Sequence, residues 1–124
     1  MPAKSTYLNN KLLAQVLTAT AYTPPAAVYA ALFNGNPTSG GTEVTGGSYT
    51  RQAAAFTAPA SSSTSNSAGL TFSNMPATTV SYIAIYDAST AGNLLYYAPA
   101  TASKTTNPGD TVTIAAGGIV VTES

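Results

Sequence analysis

Cysteine, histidine and tryptophan are absent from all 124 residues, and charge is nearly so: four basic and four acidic side chains make up 6% of the chain, against about 25% in an ordinary soluble protein. Without cysteine there is no disulfide framework, zinc–thiolate site or thiol nucleophile. Without histidine, the Ser-His-Asp and Cys-His systems and the commonest zinc ligand are excluded too. Lys4, Lys11, Arg51 and Lys104 are scattered along the chain, too sparse for the patch that phosphate recognition needs, so nucleic acid is not an expected partner. No apolar run approaches the roughly 20 residues of a membrane span, and no membrane partner is expected either. No D-x-[DN]-x-[DN]-G calcium loop occurs, so neither metal nor cofactor is expected.

What is present is small and neutral. Ser and Thr number 33, Ala numbers 23, and the formal net charge is zero. The self-repulsion that keeps soluble proteins apart is therefore missing, which suits a chain that associates. Length fits one domain, 1–124, large enough to bury a core without staples.

The N-terminus imitates a secretory signal, with Lys4 and Lys11 ahead of Leu12 to Leu17 and an Ala19-Thr20-Ala21 site. Its periodicity says otherwise. At about 100° per residue, Leu8, Leu12, Val16 and Ala19 share one side with Leu13 and Leu17 flanking, while Asn10, Lys11, Gln15 and Thr18 fall opposite. The spacing predicts an amphipathic helix over about 6–20, capped by Ser5 or Thr6 and stopped before Pro24-Pro25.

Beyond it the pattern turns to short strands between turn residues. Strands are predicted at Val28–Phe33, Tyr49–Phe56, Gly69–Ser73, Thr79–Tyr86, Asn93–Tyr97, Thr111–Ala115 and Ile119–Thr122. Thr79–Tyr86 reads as central, because Ile83 and Ile85 occupy one face and Tyr82, Ala84 and Tyr86 the other. Asn107-Pro108-Gly109-Asp110 has the residues of a type II turn. Gly117-Gly118 predicts a closing hairpin between the last two strands, and Ala58–Ala68 reads as a surface loop. The fold class is all-β: an antiparallel, jelly-roll-like β-sandwich of about eight strands with one N-terminal helix.

Catalysis would have to come from a carboxylate pair among Glu43, Asp87, Asp110 and Glu123, or from Ser103-Lys104. Asp87 and Asp110 sit where aspartate closes turns, and no oxyanion-forming glycine motif accompanies Ser103. No catalytic residue is assigned. The eight tyrosines fall mostly in predicted strands, which points to packing within or between subunits. In "EVTGGSYTRQ", Gly46-Gly47 supplies positive-φ turns that bring Glu43 toward the next strand. Arg51, the only arginine, can then pair with Glu43 in its own subunit or reach a neighbour. Glu43, Tyr49 and Arg51, with Leu8 and Leu12 of the helix, are the candidate interface residues.

Tyr29 to Phe33, the G-G-x-Y-x-R-Q core within Glu43 to Gln52, Ile85-Tyr86-Asp87-Ala88 and Asn93-Leu94-Leu95-Tyr96 resemble a family of small tailed-bacteriophage virion proteins. Many carry a tail-fibre label, and relatives serve as capsid decoration or cement proteins. The resemblance spans nearly the whole chain and implies a non-enzymatic β-sandwich present in many copies on a particle. It departs at Ala77-Thr78-Thr79, where the family pattern has a tryptophan ahead of the Ile85 strand. The expectation is a decoration or cement protein, made in the host bacterial cytoplasm and carried on the capsid surface of the virion. Its partners would be the major capsid protein and itself, as a homotrimer. The alternative is a tail-fibre or head-fibre adhesin that holds host glycan through the Asn34–Ser48 and Pro59–Ser67 loops.

Overall fold

The computed structural model describes residues 3–122. Chain order is β1 (Ala3–Lys4), α1 (Thr6–Leu17), β2 (Val28–Asn34), β3 (Thr42–Glu43), β4 (Gln52–Ala54), β5 (Ser63–Ser65), β6 (Leu70–Met75), β7 (Thr78–Tyr86), β8 (Leu94–Thr106), β9 (Asp110–Ile114) and β10 (Val120–Thr122). The all-β sandwich with one N-terminal helix is what forms.

One layer is a six-stranded sheet in the order β1-β8-β7-β2-β3, with β4 also paired to β2. The other layer is two antiparallel ribbons, β10-β5 and β6-β9. Between them, Ala30, Leu32, Val80, Ile85 and Leu95 of the large sheet meet Leu70, Phe72, Met75, Val112, Ile119 and Val121 of the ribbons in one buried cluster. Alternation along β7 sends Ile83 and Ile85 to that core and Tyr82, Ala84 and Tyr86 to the outer face, beside Ala31, Phe33 and Tyr97. Phe33 and Tyr86 stack there, nearly parallel, with ring centroids 6.1 Å apart.

Three expectations need correcting. The last two strands form no hairpin with each other: β9 pairs with β6 and β10 with β5. The reason is Asn66, only 1% exposed. Its Nδ2 donates to the carbonyls of Ala68 and Ala115 and its Oδ1 accepts Ile119 N–H, while its own carbonyl accepts Gly117 N–H. The Gly117-Gly118 turn is thus pinned to a side chain from elsewhere, and its two strands go to different partners. By the same token, Ala58–Ala68 is no plain loop, because it carries β5 and this buried asparagine. The helix stops at Leu17 rather than 20: Ala19 adopts a left-handed φ of 56°, and Thr18 and Thr20 N–H both close on Ala14 C=O.

The long β8 holds an irregularity. Val80 pairs with Lys104 and Tyr82 with Pro99, so Ala100 to Ser103 face a single β7 residue, Ser81. The four residues form a bulge in β8.

Candidate functional site

Ser5 fixes the start of α1. Its Oγ accepts Leu8 N–H at 3.1 Å and donates to Leu94 C=O, and its N–H donates to Leu95 C=O at 2.9 Å. The cap therefore also fastens the helix to β8. Leu8 follows into the core, 5% exposed, with Tyr7 and Leu12 packed against it. Past that turn the helix loses its support. Leu13 is 57% exposed, Val16 77% and Leu17 73%. Of the two helix residues singled out from the sequence, Leu8 and Leu12 make contacts within their own chain. The apolar side chains facing water are the next ones along.

The second candidate region is the corner where β3, β4 and the β7–β8 connection meet. Gly47 has φ +56°, and a Cβ there would come within 2.3 Å of Asn74 C=O. Only glycine allows that approach. Ser48 N–H bonds Asn74 C=O at 2.9 Å, and the segment folds back so that Glu43 meets Arg51. Arg51 Nε and Nη2 donate to the two carboxylate oxygens of Glu43, each at 2.9 Å. Its Nη1 donates to Ala88 C=O at 2.9 Å and Ala91 C=O at 2.8 Å, and its guanidinium lies 3.8 Å from the Tyr86 ring centroid. The Arg51 side chain is 8% exposed and that of Glu43 25%. The hydrogen bonds to Glu43 hold the guanidinium pKa above its ordinary value, against the opposing effect of burial.

Tyr49 completes this corner. Between β3, which pairs with Phe33 and Asn34, and β4, which pairs with Val28 to Ala30, the β2 edge has a gap at Leu32. Val44 N–H fills the carbonyl side at 3.0 Å. The Tyr49 hydroxyl fills the other, accepting Leu32 N–H at 3.0 Å and donating to Glu43 Oε2 at 2.8 Å. A phenol thus stands in for a missing strand residue. Its ring stacks on Phe72, centroids 5.9 Å apart. Burial holds its pKa well above the ordinary phenol range; Leu32 N–H pulls it down, and Glu43 adds to the rise.

The other carboxylates are engaged locally. Asp87 accepts Asn93 N–H at 2.7 Å and Asn93 Nδ2 at 3.1 Å. Asp110 Oδ2 accepts Asn107 N–H at 2.8 Å, within the turn read from the sequence, whose Gly109 has φ +91°. Glu123 lies outside the described residues. Among those described, no group of three or more His, Cys, Asp and Glu is placed to hold a metal, and no helix is long and apolar enough to cross a membrane.

Residues 3–122 match the family model described as podophage GP4 fiber I protein gp80. The chain belongs to this Gp80 family. That makes it a small tailed-phage virion protein of a family labelled fibre, and its setting the virion. No curated protein matches the sequence. Of the four segments that carried the resemblance, Tyr29 to Phe33, Glu43 to Gln52 and Ile85 to Ala88 converge on the Gp80 chain's Arg51 corner, while the fourth, Asn93 to Tyr96, closes the Asp87 turn and begins β8. The exposed Leu13, Val16 and Leu17 were visible as apolar positions. Their exposure was not, because it depends on how much of the helix the sheet end can cover.

Proposed function

We propose that this Gp80-family chain is a non-enzymatic fibre subunit on the outside of a phage particle, assembled as a homotrimer through α1. The observation that carries the reading is the exposed stripe of Leu13, Val16 and Leu17, on a chain with no net charge to oppose self-association. Three such side chains expose roughly 350 Å², the size of a functional patch on a small protein. A two-copy contact through this stripe alone falls short of the ~800 Å² per partner of a stable interface. Three copies, each meeting two neighbours, use more of every helix. The test is the solution mass of the purified protein by light scattering. A trimer that Leu17→Asp reduces to a monomer supports the reading, and a wild-type monomer at particle-like concentrations refutes it.

A second reading has its own support. The described residues form one compact body and contain no repetitive shaft, as suits a decoration or cement protein that bridges neighbouring capsomers of the major capsid protein. Copy number relative to the major capsid protein, by quantitative mass spectrometry of purified particles, separates the two. A small multiple of three marks a fibre, and hundreds mark cement. The glycan-adhesin reading is weakened by its own loops. Asn36 Oδ1 is taken up by Thr38 N–H and Oγ at 2.8 Å each, and Asn66 is buried, which leaves Asn34 as the one exposed asparagine there.

A further inference from the structure

Asn34 is followed by Gly35, the dipeptide in which a main-chain nitrogen attacks the asparagine side chain with least steric hindrance. Asn34 is exposed at the end of β2, where water reaches it. Yet the nitrogen that would attack is occupied: Gly35 N–H donates to Ser81 Oγ at 2.7 Å. Ser81 is the β7 residue opposite the Ala100–Ser103 bulge, with no β8 partner in register, and its hydroxyl is turned to the neighbouring strand end. The surrounding backbone is also closely fitted. A Cβ on Gly41 would lie 2.3 Å from Gly35 C=O, Gly41 N–H bonds Asn36 C=O at 2.8 Å, and Asn34 is held in register with Thr42.

We propose that Asn34 is a deamidation site that the fold holds in check through Ser81. In the reaction, Gly35 N–H loses its proton to water or hydroxide and the nitrogen bonds to Asn34 Cγ. The bond from Cγ to the side-chain nitrogen breaks, and ammonia leaves. Water then opens the succinimide to aspartate or isoaspartate. The electron count is unchanged, and the net exchange is one water taken up for one ammonia lost. While Ser81 accepts the N–H, deprotonation costs that hydrogen bond and the nitrogen stays directed away from Cγ. Either product carries the neutral chain to a charge of −1. Isoaspartate also inserts a methylene into the main chain next to Phe33, whose register partner is Glu43, and so disturbs the carboxylate that holds Arg51.

The experiment follows one-dalton mass gain and isoaspartate at the Asn34 peptide in full-length protein aged in mildly alkaline buffer. Wild type, Ser81→Ala and Ser81→Thr are compared folded and in denaturant. Folded Ser81→Ala is expected to react about tenfold faster than wild type, the factor one ordinary hydrogen bond supplies. Ser81→Thr, which keeps the hydroxyl, stays slow, and all three react alike and fast in denaturant. A folded wild type that reacts at the denatured rate overturns the proposal, as does no reaction in denaturant or a folded Ser81→Ala as slow as wild type. Should Ser81→Ala not fold, deuterium exchange of the wild-type Gly35 amide decides. Protection equal to that of the β2 amides supports the guard, and free exchange removes it.

Discussion

The corner around Arg51 and the far half of α1 are opposites in the same small chain. At the corner, the one arginine, one of four acidic residues and a tyrosine hydroxyl bond each other and the neighbouring backbone. On the helix, three large apolar side chains face water, covered by none of the described residues. The contrast shows where a charge-poor protein uses its few charges: to fix a joint within the subunit.

The sharpest way to break this comparison is to remove the joint. Arg51→Ala leaves Glu43 without its fork and the carbonyls of Ala88 and Ala91 without donors. It is expected to cost about 3 kcal/mol in denaturant unfolding, with Arg51→Lys recovering less than half because a point charge cannot make both sets of bonds. A loss within experimental error would mean that the corner is ornamental. Next comes Tyr49→Phe, which keeps the Phe72 stack but orphans Leu32 N–H. About 1–2 kcal/mol is expected from the same measurement.

Alkali tests the corner without mutation. The Tyr49 phenol is raised in the fold, so above pH 10.0, its ordinary value, the unfolded chain sheds a proton that the native one keeps. Its stabilising contribution is complete below pH 10 and is lost as pH rises through the elevated native value. Tyr86 and Tyr22, both raised chiefly by burial, act with the same sign. Stability should fall with rising pH beyond 10, less steeply in Tyr49→Phe. A slope that is identical in the variant would take Tyr49 out of the account. The smallest effect on folding belongs to the helix: Leu17→Ser should change stability by no more than about 0.5 kcal/mol while lowering incorporation into particles. A large stability loss there would show that the stripe serves the subunit's own fold.

Local periodicity was enough to place the helix start, the central strand with its two faces and the Pro108-Gly109 turn, because each is decided within a few residues. The Glu43–Arg51 pair was legible as a possibility from Gly46-Gly47 and the scarcity of charge. Its other contacts, to Ala88 and Ala91, join segments about forty residues apart, which no local pattern encodes. Asn66 was hidden for the same reason. In a run of serines it reads as surface, and only the approach of Ala115 to Ile119 makes it the pin that redirects two strands. The two-residue strands β1 and β3 have no periodicity to detect, since they exist through the partners that β8 and β2 offer.

The four residues from Ala100 to Ser103, set against Ser81 alone, have a practical use. Register is held on both sides of the bulge, at Tyr82–Pro99 and Val80–Lys104, so added chain there lengthens an existing bulge rather than sliding a strand. Closing a longer loop costs little, about 0.6 kcal/mol per doubling. An epitope or affinity tag spliced between Thr101 and Ala102 would then be carried by the bulge while both flanking registers stay in place, making the chain a display scaffold.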